Sequence, residues 1–368
     1  MRFYPFLMVF YLLAGTLAAQ DQLRFASFNV GLGRDGPGEL LKDIQSNDKD
    51  ILALAAIIGE TAPDILLLTN FDTDYRNLAV RAFTEVITTE TGLNYPYFFA
   101  PEGNSGFPSG MDLNSDGWSF DWADNWGFGL FPGSESMVLL SKYPIDTAQS
   151  QTYAEFLWRD LPNPTPPKNP DGSDFFAPAV WQNYRLASKN FWDVVIALPQ
   201  GQEIRVLASH ATPPVFDGPE NRNGLRNDAE VSFWRGYINR SVAQNAYFVI
   251  LADFNADPKD GEGLGFAINT LLNDARIIDP APRSMGAVRA SNDQAGINLQ
   301  HSSPPATDTV DWADSKIGNL RVDYVLPSSN LTVLQSGVFW PGPDDILFPL
   351  LAASQTAHRL VWVDVSLP

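Results

Sequence analysis

The feature that most constrains this chain is a succession of short apolar runs set between helical or irregular stretches. They are Leu23-Arg24-Phe25-Ala26-Ser27-Phe28, Asp64-Ile65-Leu66-Leu67-Leu68, Met137-Val138-Leu139-Leu140, Val194-Val195-Ile196-Ala197, Ile204-Arg205-Val206-Leu207-Ala208, Tyr247-Phe248-Val249-Ile250-Leu251, Val322-Asp323-Tyr324-Val325-Leu326 and Leu360-Val361-Trp362-Val363-Asp364. Runs of this length and composition are strands. Many are apolar on both faces, so they belong inside a layered structure covered on both sides. Helices are expected at 48–60, 75–90 and 227–245, which makes the class α/β. The stretches from Pro101 to Pro132 and from Pro162 to Pro178 are long, irregular and rich in turn formers or proline. Neither divides the chain, because strands on both sides are needed for one core. We therefore expect a single domain over residues 20–368, and 368 residues of which 45% are hydrophobic can build it.

The first residues read as an export signal. Arg2 gives a positive start, Phe6 to Leu13 an apolar centre, and Thr16-Leu17-Ala18-Ala19-Gln20 the small residues of a cleavage site. Residues 1–19 are thus expected to be a signal peptide, leaving the protein secreted or periplasmic. An uncleaved anchor is the alternative, but the apolar run is shorter than the roughly 20 residues a bilayer span needs, and no later segment looks transmembrane. The chain has no cysteine, so an exported fold must rest on its core, helped by bound ions, rather than on disulfides. Its formal net charge of −19 argues against a surface that grips long nucleic acid by neutralising phosphates. A phosphate-bearing partner would need a metal ion or a local arginine cluster.

Polar residues recur where the strands end. Asn29 follows the first strand, His210 a middle one, and Asp253-Phe254-Asn255 another, while Asp323 lies in a strand and His358 just precedes the last. Loops at strand ends are where α/β proteins assemble sites. Two of the three histidines fall in this set. They could be structural hydrogen-bonding residues, but their company of carboxylates and carboxamides favours chemistry.

These residues also carry a resemblance. Ser27-Phe28-Asn29-Val30, Ser209-His210, Ala252-Asp253-Phe254-Asn255-Ala256, Arg321-Val322-Asp323-Tyr324 and His358-Arg359-Leu360-Val361 are similar, in order and position at strand ends, to the motifs of the endonuclease/exonuclease/phosphatase superfamily, the DNase I-like fold. A secreted bacterial branch is closer still, through Gly127-Phe128-Gly129, Trp192-Asp193, His210-Ala211-Thr212-Pro213-Pro214-Val215-Phe216-Asp217-Gly218 and Gly318-Asn319-Leu320. The resemblance implies a four-layer α/β sandwich of two facing mixed β-sheets flanked by helices. It implies hydrolysis of a phosphodiester or phosphomonoester with a divalent metal, Mg or Mn, on a small phosphate ester or nucleotide. His358 would be the base, His210 would hydrogen-bond the phosphate or leaving oxygen, Asp323 would orient the nucleophile, Asn255 would hold the phosphate, and Asn29 and Asp253 would support the metal.

The departures from the family pattern bear on activity. Asn70 stands where a metal-binding glutamate follows the second strand, and Ala357 stands where an aspartate precedes the histidine. Phe191 and Asp228 replace histidines of the secreted branch, and all four are expected around one site. Asp72, two residues beyond Asn70, would face the same way if the strand continued that far, and could replace the missing ligand. Alternatively it is a helix cap or turn residue before Asp74-Tyr75-Arg76.

Three further signals leave alternatives open. Asp112-Leu113-Asn114-Ser115-Asp116-Gly117 is similar to the first half of a calcium loop, but Ala123 holds the twelfth position; Asx turns explain it equally. Arg222, Arg226 and Lys189 suit phosphate oxygens, or the arginines pair on the surface with Glu220, Asp228 and Glu230. Trp118, Trp122 and Trp126 recur every four residues, as one helical face, a stacking wall above the pocket, or core and lid packing. Two functions follow: a secreted metal-dependent phosphoesterase with a weakened metal site, or a non-catalytic family member binding calcium or an anionic ligand.

Overall fold

The structure, a computed structural model, describes residues 22–368; the expected signal segment, residues 1–19, lies outside the described residues. The strands are β1 (Gln22–Leu32), β2 (Ile65–Phe71), β3 (Tyr97–Phe99), β4 (Ser136–Ser141), β5 (Ile145–Thr152), β6 (Phe191–Ala197), β7 (Glu203–His210), β8 (Phe248–Asp253), β9 (Val310–Asp311), β10 (Asn319–Leu320), β11 (Asp323–Pro327), β12 (Thr332–Val338) and β13 (Val361–Ser366). The helices are α1 (Glu39–Ser46), α2 (Lys49–Thr61), α3 (Leu78–Thr91), α4 (Pro178–Trp181), α5 (Arg222–Arg240), α6 (Phe266–Leu272), α7 (Met285–Gln294) and α8 (Phe348–Ser354). No helix among the described residues is long and apolar enough to cross a membrane.

Two mixed sheets face each other. One has the order β12-β13-β1-β2-β4-β3, the other β11-β8-β7-β6-β5, and β9 and β10 form a small ribbon. In the first sheet β1 runs parallel to β2 and antiparallel to β13; in the second, β7 and β8 are parallel and their neighbours antiparallel. The expected runs are buried on both faces because each sheet has a helix layer outside and the other sheet inside. Side-chain alternation makes this explicit in β8: Val249 and Leu251 join the core between the sheets, whereas Phe248, Ile250 and Ala252 join the cluster under α5 and α6. On the other side α2 buries Ile51, Leu54 and Ile58, a helical stripe, in the larger core.

Helix limits differ from the sequence expectation for local reasons. α3 begins at Leu78 rather than near 75 because the Asp74 carboxylate accepts the amides of Leu78 and Ala79 at 2.9 and 2.8 Å, capping the helix there. α5 begins at Arg222, because Asp217 accepts the Asn223 amide at 2.5 Å, and it ends at Arg240. The tryptophans 118, 122 and 126 do not share a helical face: only a 3₁₀ turn at Trp122–Asp124 forms there. Trp118 and Trp122 are exposed, while Trp126 packs against the core.

Candidate functional site

Alternation aims the strand ends into the gap between the sheets. Ile204, Val206 and Ala208 of β7, Val249 and Leu251 of β8, and Val325 of β11 all point inward. Stepping two residues along each strand gives His210, Asp253 and Asp323 on that same face. Pairing puts them side by side, with His210 opposite Asp253 and Asp253 opposite Asp323. The facing sheet contributes Asn29 from β1 and His358 from the turn before β13. His358 Nδ1 lies 2.9 Å from Asp323 Oδ2. Asn29 Nδ2 donates to Asp253 Oδ2 at 2.8 Å and lies 3.4 Å from His358 Nε2, and His210 Nε2 is 3.5 Å from Asp253 Oδ2. All five side chains are buried, and Trp312 packs edge-on against the His358 ring.

The electrostatics follow from placing two carboxylates out of water. Burial, and then the neighbouring Asp323, raise the Asp253 carboxyl above its ordinary range. Burial lowers His358, but Asp323 and Asp253 outweigh it and leave the imidazole above its ordinary value. His210 is driven well below the ordinary value by burial and by Lys189 and His358, so it is neutral at pH 7. Among the described residues, the ion-pair partners of Asp253 and Asp323 are histidines alone. Ligand atoms of Asp253, Asp323 and His358 lie within 4.8 Å of one another. Asp323 Oδ1, Asn70 Oδ1 and His210 Nδ1 are buried without a hydrogen-bond partner. Leaving such atoms bare costs about 1–3 kcal/mol each. This oxygen-rich, under-satisfied donor set fits a hard divalent cation.

The site opens into a cavity of about 690 Å³, whose lining includes Asn29, Asn70, His210, Asn255 and His358 and, on its walls, Trp122, Phe128, Phe216 and Trp312. Asn255, in a left-handed conformation (φ 49°), donates its amide to Asp253 Oδ1 and its side chain to the Ala211 carbonyl. Arg222 lines the cavity and donates Nη1 to the Leu113 carbonyl at 2.9 Å. Arg226 is buried, its guanidinium spent on the carbonyls of Leu186, Trp126 and Arg185 and on the Tyr184 hydroxyl. Lys189 is buried too, donating to Ser105 Oγ and the Phe128 carbonyl; burial lowers its pKa against the pull of Glu135 and Glu230.

Some expected participants sit elsewhere. Asp72 does not join the cluster: β2 ends at Phe71 after a bulge against β4 at Asn70, itself left-handed at φ 51°. Both Asp72 oxygens accept backbone amides, from Arg34 at 2.8 Å and Glu135 at 2.7 Å. Phe191 stacks on Phe233 at 4.0 Å in the core on the helix side of its sheet, and Asp228 accepts the Ala267 amide at the start of α6. Those two departures therefore lie outside the cleft. Ala357 packs beside the small cluster of Val310, Leu320 and Val322. Asn114 and Asp116 accept the amides two residues on, as Asx turns, and Asp112 accepts those of Asp116 and Gly117. Glu230 is no surface partner for an arginine: it is 1% exposed and accepts the amides of Ser188 and Thr212, both at 2.6 Å. The cavity residues Glu135, Phe216 and Trp312 were not expected as site residues. Glu135 stands two positions before the expected strand at Met137, and only strand pairing brings it to the cavity.

An acidic group flanks the cavity, where Asp257 and Asp260 line the wall and Asp308 is buried beyond them. Burial, with repulsion from Asp257 and Asp260, pushes Asp308 up to about 8 from 3.8. Between those values the folded chain holds a proton the unfolded chain has released, so this group's contribution to stability falls as pH rises through that window. Asp308→Asn is expected to stabilise by on the order of 2 kcal/mol at pH 9 and by almost nothing at pH 3.5. Urea titrations at both pH values check it; an equal effect at each would contradict the buried proton.

The sequence model of the Endonuclease/Exonuclease/phosphatase family matches residues 26–362. Among curated proteins, no sequence matches the chain significantly. Among solved structures, an endonuclease/exonuclease/phosphatase from Beutenbergia cavernae is similar at TM-score 0.52 with 16% identity, over 94% of this chain and 72% of that one. An endonuclease/exonuclease/phosphatase family protein from Bacteroides thetaiotaomicron is similar at TM-score 0.51 with 11% identity, over 95% of this chain and 99% of that one.

Proposed function

Because the chain belongs to the endonuclease/exonuclease/phosphatase family, whose members are hydrolases of phosphate esters, we propose that it is a divalent-metal-dependent phosphoesterase acting on a small phosphate ester or nucleotide. The observation that carries this reading is the buried His358–Asp323 pair, at 2.9 Å, facing Asp253, Asn29 and His210 across the two sheets. Asp253 and Asp323, with the oxygens of Asn70 and Asn29, are the residues that would hold Mg²⁺ or Mn²⁺. When bound, the cation polarises the phosphoryl group and offsets its charge.

The chain's own residues supply the rest. Asp323 accepts from Nδ1 of His358, which fixes the tautomer that leaves Nε2 free to take a proton from water. Asp323 is thus a positioning residue for the base. His210, kept neutral by burial, can hydrogen-bond a phosphoryl or leaving oxygen without adding charge. Arg222 has an Nε with no hydrogen-bond partner and is the arginine with capacity left for phosphate, since Arg226 is committed to carbonyls. The cavity is of a size for one small molecule, and its aromatic walls suit an ester whose organic part is planar or apolar. The net charge of −19 opposes capture of long nucleic acid. On the sequence of residues 1–19 we place this activity in the periplasm or outside the cell, in a mature domain spanning 20–368.

The test is hydrolysis of 4-nitrophenyl phosphate and of bis(4-nitrophenyl) phosphate with Mg²⁺, Mn²⁺ or Ca²⁺. Turnover is expected to disappear on chelation with EDTA and to return with excess Mn²⁺. Absence of turnover with every cation would overturn the enzyme reading. It would favour a non-catalytic binding member, for which the neutral Asn70 at the cleft is the supporting observation.

A further inference from the structure

We propose that Glu135 supplies to the cation of this cleft the carboxylate that Asn70 does not, so that the metal site has moved one strand across rather than been lost. The inference rests on the metal dependence proposed above. Asn70 is the extra residue of β2 in its pairing with β4, between Thr69 opposite Met137 and Phe71 opposite Ser136, and its amide is neutral, with Oδ1 buried and unpaired. Glu135 immediately precedes β4, the strand paired antiparallel with β2, with Phe71 opposite Ser136. The two side chains therefore reach the same cavity from adjacent strand ends, together with Asn29 and His358.

Several independent features hold Glu135 in place. Its backbone is left-handed, φ 48°, a conformation that costs a non-glycine residue energy and persists only where the surroundings impose it. Asp72 imposes it, accepting the Glu135 amide on one oxygen and the Arg34 amide on the other. Gly33 leaves room for the side chain: a Cβ there would stand 2.9 Å from Glu135 Cγ. The carboxylate carries one long ion pair and keeps capacity to coordinate. Among the described residues no hydrogen bond reaches it, and its cationic neighbour, Lys189 Nζ, is 3.7 Å away and already donates to Ser105 Oγ and the Phe128 carbonyl. An anionic oxygen donor with only one long ion pair, lining the cavity beside Asn29, Asn70 and His358, is what a hard divalent cation selects.

Mn²⁺ binding to the full protein, read from the electron paramagnetic resonance of free Mn²⁺, tests this without reference to turnover. Glu135→Gln is expected to raise the Mn²⁺ Kd by about 10- to 100-fold, and Asn70→Glu added to it is expected to restore most of the loss. Glu135→Asp, which keeps the charge but shortens the reach, should fall between, and it serves if the glutamine variant melts early. A wild-type Kd in a folded Glu135→Gln protein would overturn this inference alone, leaving Glu135 as the counter-ion of Lys189. A wild-type protein that binds no Mn²⁺ would overturn the metal-dependent reading and this inference together.

Discussion

Replacing His358 with alanine is expected to lower kcat/KM for any phosphate ester the metal-loaded protein hydrolyses by about 10²- to 10⁴-fold, the usual contribution of a positioned general base. The ring's two nitrogens have different tasks. Nδ1 is held by Asp323 at 2.9 Å, and Nε2 faces Asn29 and the cavity side of the cluster. Asp323→Asn should produce a large loss as well, because an amide can present its NH₂ to Nδ1 and favour the opposite tautomer. Loss of a base, unlike loss of a fold, leaves the thermal transition in place and flattens the pH profile. Without a bound cation His358 sits above its ordinary pKa because Asp323 and Asp253 outweigh burial. The wild-type rate should rise with pH as the imidazolium deprotonates, because only the neutral ring can accept a proton. Steady-state kinetics across pH, beside a melting curve, decide it. An unchanged rate in His358→Ala would remove this residue from the chemistry.

The largest expected effect on stability belongs to Glu230→Ala, at about 3–5 kcal/mol. Glu230 projects from α5 into the end of the second sheet. One oxygen accepts the amide of Ser188, next to Lys189, and the other that of Thr212, two residues past His210. The side chain is 1% exposed. Truncation leaves two buried N–H groups unpaired and a void where the carboxylate packed, each of which is unfavourable. Glu230→Gln keeps one carbonyl acceptor and should lose roughly half as much. Urea denaturation of the three proteins measures it. Because the same carboxylate ties down the segments carrying His210 and Lys189, any activity should fall along with stability. A cost of a few tenths of a kcal/mol would mean that the two amides find other partners.

Much of the second-sheet half of the cluster was legible because strands write their geometry locally. Alternation in β7, β8 and β11 tells which side chains share a face, and the polar residues that end those runs, His210, Asp253 and Asp323, stand out against apolar neighbours. Asn29 and His358 were legible through their motifs. What local pattern could not give was commitment. Arg226 looked like a phosphate ligand by residue type, yet its fork is spent on three carbonyls and a hydroxyl that arrive from distant loops. Phe191 and Asp228 looked like losses from the site by residue type, but Phe191 points to the helix side of its sheet, against Phe233, and Asp228, on α5, accepts the Ala267 amide.

Asp72 shows the same limit in backbone terms. Its place at the site required β2 to continue, but the left-handed turn at Asn70 ends the strand's alternation and hands Asp72 to the amides of Arg34 and Glu135. By itself, then, the sequence determined the α/β class, the strand ends that bear polar groups and the acidic, disulfide-free character of the chain, since composition and short-range periodicity suffice for these. The tertiary structure alone decided which of those groups meet. Asn29 and His358 are 329 residues apart and stand at 3.4 Å, and Glu135 reaches the cavity through the pairing of two strands, because register and sheet packing are set by contacts that no local window contains.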